Sequence, residues 1–189
     1  MDALPERFDQ RRELLLADVI AGQRVLDLGC GDGRFSAALV GAGASVVGVD
    51  AAAEALRRAR KHAPEAEFVQ VDEGAPLPFG GDSFDRVWCG ETLEHVVDVA
   101  LLLGEVRRVL RPGAMLLATT PNHARLRVAG EALAGRPLER RLDPRADHLR
   151  FFTAHTLREL LSGAGFEQVS VIAVDGPPLL RRSLIARAR

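Results

Sequence analysis

The 189-residue sequence has no tyrosine, one tryptophan, two cysteines and a single lysine, Lys61. The missing tyrosine removes the phenol from the acids and bases on which any chemistry here can draw. Cys30 and Cys89 form no CxxC pair and no histidines cluster at metal-ligand spacing. Two reduced thiols and no metal are therefore expected. No run of about 18 apolar residues occurs, and the start, MDALPERFDQRRELLL, lacks a basic region followed by an apolar core and a cleavage site. The expectation is a cytoplasmic protein without stable membrane insertion. The formal net charge is only -1, with no basic stripe of the kind non-specific phosphate binding requires, so no nucleic-acid partner is expected.

What is present suits a globular enzyme. Hydrophobic residues make up 47% of the chain, and its length fits one domain over residues 1–189 with a core that needs no staples. Apolar runs rich in β-branched residues alternate with helix-period segments, which predicts a parallel sheet covered by helices on both faces. Strands are expected at Arg24 to Leu28, Ser45 to Val49, Glu67 to Val71, Phe84 to Cys89, Ala114 to Thr119, Phe166 to Val174 and Ser183 to Arg187. Helices are expected at Arg34 to Val40, Ala52 to His62, Asp98 to Leu110 and Ala154 to Ser162, the last capped by Thr153. Between the fifth strand and the last helix, residues 121–150 break the alternation. Such a segment predicts an inserted cap over the site.

The stretch VLDLGCGDGRF, Val25 to Phe35, places Gly29, Gly31 and Gly33 in one turn after the first strand. Such a turn brings backbone N–H groups and a helix N-terminus against a nucleotide-like ligand. The dinucleotide fingerprint GxGxxG fails, because its sixth position is Arg34. The stretch fits DxGxGxG, starting at Asp27.

That pattern resembles the first motif of the class I S-adenosylmethionine-dependent methyltransferases. The likeness continues in VVGVD, ending in Asp50 about 21 residues after Gly29, in FVQVDEGAPLPF with Asp72, and in DSFDRVWCGETLEHV, RRVLRPGAMLLATTPN and LRFFTAHTLRELLSGAGF. It covers roughly Val25 to Val174 and is greatest to the small-molecule branch that includes ubiquinone and menaquinone biosynthetic enzymes. The resemblance implies an α/β, doubly wound Rossmann-like fold with a seven-stranded, mostly parallel sheet in the order 3-2-1-4-5-7-6 and an antiparallel strand at one edge. It also implies methyl transfer from S-adenosylmethionine to a small molecule, with oxygen the expected acceptor. CGET stands where amino-group methylases of other branches carry an (D/N)PPY-type tetrapeptide.

By the same resemblance Asp27 supports the methionine end of the cofactor, Asp50 takes the ribose diol and Asp72 the adenine amino group. Gly29, Gly31, Gly33, Cys30, Ala51, Glu73, Gly90 and Glu91 stand beside them as cofactor contacts. Asp27 and Asp50 also suit turn or strand-end roles, and both cysteines suit plain burial. His95 in ETLEHV and His148 in ADHLRFF are the candidate general bases for a hydroxyl nucleophile. Alternatively His95 caps the next helix and His148 ties the cap to the body. Glu91 and Glu94 read as solvated acids at a helix start, or as paired carboxylates that bind a metal or orient an imidazole. Only Pro5 to Ile20 precede the first strand, so the site is expected either to be open or to be completed by a second subunit, as in a homodimer. The rival function is a non-catalytic subunit that binds the cofactor and acts through a partner protein.

Overall fold

A computed structural model of the chain describes residues 7–189. The near-continuous apolar runs form parallel strands, the central ones buried on both faces. They are β1 (Arg24–Leu28), β2 (Ser45–Asp50), β3 (Glu67–Gln70), β4 (Phe84–Gly90) and β5 (Leu110–Pro121). With β6 (Ser170–Val174) and β7 (Ser183–Ala188) they make one seven-stranded sheet in the order β3-β2-β1-β4-β5-β7-β6. β7 pairs antiparallel with both β5 and β6. The antiparallel pairing thus lies at that end of the sheet, with β6 outermost.

Helices α1 (Phe8–Leu16), α2 (Arg34–Gly41) and α3 (Ala53–His62) cover one face. Leu15, Phe35 and Leu39 pack there against Trp88 and Leu117, and Leu56 and Ala59 against Phe68. On the other face α4 (Val99–Val109) and α7 (Ala154–Gly163) bury Leu103, Val106, Leu157 and Leu161 against β1, β4 and β5. Their N-termini are set by side chains: Asp98 accepts from the Leu101 N–H at 2.9 Å, and Thr153 and Thr156 form a reciprocal capping box. No helix among the described residues is long and apolar enough to cross a membrane.

The structure departs from expectation at two strand boundaries. β5 begins at Leu110, with Arg111-Pro112-Gly113 forming an irregularity inside the strand; Gly113 has φ 77° and the pairing with β4 shifts there. β6 begins at Ser170, later than expected, because the Phe166 N–H returns to the Leu161 carbonyl at the end of α7 and the Phe166 ring enters the core. The cap contains α5 (Arg125–Ala134) and α6 (Arg136–Arg141), and α5 buries none of its residues. It is held at its far end, where the Leu149 and Arg150 N–H groups both donate to the Glu94 carbonyl at 2.7 and 3.0 Å, and the Arg150 guanidinium donates to the Val97 carbonyl.

Candidate active site

The glycine turn leaves β1 with φ 72°, 54° and 79° at Gly29, Gly31 and Gly33. Two of these glycines answer to the protein itself. A Cβ on Gly29 would lie 2.4 Å from the Thr92 hydroxyl, and one on Gly33 would lie 2.7 Å from the Ala59 Cα of α3. Gly31 differs, since a Cβ there would stand in open space. The close backbone approach read from the sequence is therefore partly helix-on-turn packing.

Asp50, at the tip of β2, holds the turn from the side. Its Oδ2 accepts from the Gly31 N–H and its Oδ1 from the Ala52 N–H, each at 2.9 Å. Each oxygen keeps a lone pair for a ligand hydroxyl. Asp50, Gly29, Ala51, Asp72, Glu73, Glu91, Thr92 and His95 line one cavity of about 360 Å³, whose apolar walls include Leu28, Val49, Val71, Leu101 and Leu102. The Asp72 side chain makes no hydrogen bond among the described residues, whereas Glu73 accepts from the Val97 N–H at 2.8 Å. Apolar walls for a flat base, a carboxylate with spare lone pairs for a diol and a second carboxylate for an amino group fit an adenosyl moiety.

Asp27, Cys30, Gly31, Gly33, Gly90 and His148 do not line that cavity. Asp27 is buried behind the turn, where Ser36 Oγ–H donates to it at 2.6 Å and burial pushes its carboxyl up to about 7. The Cys30 side chain points into the core beside Phe68 and Leu56, its N–H donates to Val49, and burial raises its thiol. Its expected side-chain contact with the cofactor is corrected accordingly: the small apolar pocket under β2 is the better solvent for it. Gly90 is tied to Trp88, whose ring would lie 2.5 Å from a Cβ there.

The histidines converge. His95 and His148 meet edge to face with centroids 4.9 Å apart, and His95 Nδ1 lies 3.0 Å from the Asp147 carbonyl oxygen. Beside them stands Glu94, 1% exposed and therefore not the solvated acid that its sequence position suggests. Its Oε2 accepts from the Thr120 hydroxyl at 2.9 Å, its Oε1 has no partner, and burial pushes its carboxyl up to about 7. One ligand atom from each of Glu94, His95 and His148 lies within 4.8 Å of the others, a grouping able to hold a metal ion. The grouping is assembled across the cap and so leaves no ligand spacing in the sequence.

A second cavity, of about 600 Å³, is lined by Arg7, Arg11 and Leu14 of the N-terminal segment, by Thr119 and Pro121 of β5, and by Arg182 and Ile185. Glu91, at φ 53°, belongs to both cavities. Arg11 reaches it at 3.9 Å while stacking over Phe35. Residues of α1 and Arg7 thus contribute to the wall of this cavity. Arg11 has no motif signal in the sequence, and Thr92 and Thr119 lie within the quoted segments without being singled out; their proximity to the cavities marks them.

Fold and site together define an α/β domain with a pocket of a shape and chemistry that fit an adenosyl group, at the carboxyl ends of its parallel strands. The family model described as "Methyltransferase domain" matches residues 3–171. The ubiquinone biosynthesis O-methyltransferase of Psychrobacter arcticus is 31% identical over 180 residues, covering 89% of this chain and 68% of that protein. The protein of the same name from Mesorhizobium japonicum is 30% identical over 186 residues, covering 96% and 74%. Among solved structures, an S-adenosylmethionine-dependent methyltransferase from Mesorhizobium loti superposes with TM-score 0.76 at 25% identity, covering 96% of this chain and 99% of that one. A Haloferax volcanii putative methyltransferase structure, in complex with the activator Trm112, has TM-score 0.74 at 20% identity over 97% and 92%, a likeness of fold. The chain belongs to the class I S-adenosylmethionine-dependent methyltransferases. It is an enzyme that uses S-adenosylmethionine as methyl donor, and the reading as a non-catalytic binding subunit falls.

Proposed function

We propose that the enzyme methylates a hydroxyl oxygen of a small molecule held in the second cavity, with His95 taking the hydroxyl proton. His95 carries this reading. The Asp147 carbonyl can only accept, so the proton of the neutral ring sits on Nδ1 and the lone pair remains on Nε2. An imidazole held in that tautomer on the wall of the cofactor cavity is a ready base for a hydroxyl. The relatives named as O-methyltransferases support oxygen as the acceptor atom.

The bound cofactor supplies a methyl group on a positively charged sulfur. Asp50 and Asp72 hold its ribose and adenine ends in this reading, and Asp27 acts from behind, keeping α2 and the glycine turn in register through Ser36. Glu91 stands where the two cavities meet, the place an acceptor hydroxyl must reach. Holding nucleophile and methyl group in line then supplies much of the rate. His148 packs on the His95 ring and orients it.

The cluster of Glu94, His95 and His148 favours one second reading, in which a divalent cation sits among the three and acidifies the hydroxyl. Turnover of hydroxylated acceptors, followed by mass spectrometry, tests both. A methyl ether formed in the presence of chelator, and lost in His95→Gln with cofactor binding intact, supports the base. Loss of turnover on chelation, restored by magnesium or zinc, supports the cation. Methylation at nitrogen or carbon overturns both.

A further inference from the structure

We infer that the acceptor is a hydroxylated carboxylic acid, bound with its hydroxyl inward at Glu91 and Thr119 and its carboxylate outward on Arg182 and Arg127; this rests on the acceptor role of the second cavity. The inner end of that cavity calls for a hydroxyl. Thr119 is buried, and its Oγ1 has no hydrogen-bond partner among the described residues. A buried hydroxyl left unpaired is costly, so a donor or acceptor on the bound molecule belongs there.

The outer end offers one uncommitted guanidinium. The cavity continues into an open recess, and the two share Arg7, Arg127, Asp175 and Arg182. Arg7 is committed to Asp175 at 2.7 Å, and Arg127 donates to Glu131 at 3.1 Å. Arg182 is exposed, and among the described residues its guanidinium has no ion pair or hydrogen bond. Glu13 and Glu91 line the inner cavity and Asp9 lines the recess, so the net charge is the same in both, and the uncommitted guanidinium of Arg182 is what marks the outer end. One uncommitted guanidinium presents a planar fork that matches a carboxylate. A volume of about 600 Å³ accommodates a single ring with its substituents between the two ends.

Caffeate and its methyl ester, titrated into the enzyme loaded with S-adenosylhomocysteine, form the test pair. They share hydroxyls and ring and differ in charge. The acid is expected to bind at least about tenfold more tightly than the ester, the range of one charge-assisted contact. Arg182→Gln should erase that difference while leaving the affinities for the ester and for S-adenosylhomocysteine unchanged, and Arg182→Lys should restore part of it. Equal affinities in the wild type, equal weakening of acid and ester in Arg182→Gln, or binding of neither compound overturns the inference. If S-adenosylhomocysteine binds in those cases, the methyltransferase reading of the site survives. If it does not bind, that reading falls as well.

Discussion

His95 and Asp147 lie 52 residues apart in sequence, and the imidazole Nδ1 of the first is 3.0 Å from the carbonyl oxygen of the second. This contact joins the wall of the cofactor cavity to the cap, and it selects the tautomer of the base. Replacing His95 by Gln should lower kcat roughly a hundredfold or more, the usual weight of a positioned base. Affinity for S-adenosylhomocysteine, read by calorimetry, should change little. An unaltered kcat removes His95 from the chemistry.

Asp50 accepts from the Gly31 N–H and, in the proposed reading, also holds the ribose end of the cofactor. Asp50→Ala is expected to weaken S-adenosylhomocysteine binding by roughly tenfold to a hundredfold, as loss of hydrogen bonds to a charged group does. Asp72→Ala should cost less, because Asp72 makes no hydrogen bond that shapes the pocket. The opposite ranking in a calorimetric titration would reverse the roles of the two acids.

Burial raises Asp27 to about 7 in the folded protein, above the 3.8 of an ordinary aspartate. Between those values the folded state holds a proton that the unfolded chain has released, so stability falls as pH rises from about 4 through about 7. Thermal melts should give a lower Tm at pH 8 than at pH 5.5. Asp27→Asn should flatten that slope, since the amide oxygen still accepts from Ser36 and never ionises. A slope unchanged in the variant would place its origin elsewhere, with Glu94, raised to about 7 by its own burial, the next group to test.

Gly33 meets α3 closely enough that a methyl group would touch the Ala59 backbone, and its φ of 79° disfavours any side chain. Gly33→Ala should destabilise the fold by about 2 kcal/mol or more. Gly31→Ala bears only the backbone strain and should cost less stability while weakening the cofactor. Denaturant titration of both variants separates packing from ligand approach.

The sequence alone determined the alternation of strands and helices, because apolar period, glycine turns and caps act over a few residues; the strand order and the antiparallel strand followed from the family resemblance. The alternation of runs such as Arg24 to Leu28 and Ser45 to Val49 with helical segments leaves little choice but a parallel sheet. DxGxGxG and Asp50, about 21 residues after Gly29, were legible as a turn and a strand tip for the same reason: both are local. Boundaries slipped where tertiary contacts competed, as when Phe166 turned back to Leu161 and delayed β6.

The catalytic end was decided only by the tertiary structure. Glu94 looks like any acid at a helix start until Thr120 and the cap enclose it, and burial then raises its pKa. Cys30 sits in the glycine motif yet faces the core, since the turn's left-handed residues direct its side chain beneath β2. His148 joins His95 because the cap folds back and donates two N–H groups to one carbonyl, that of Glu94. Contacts between residues more than fifty positions apart leave no period or spacing in the chain, and burial, which sets the chemistry of these groups, is a property of the folded protein alone.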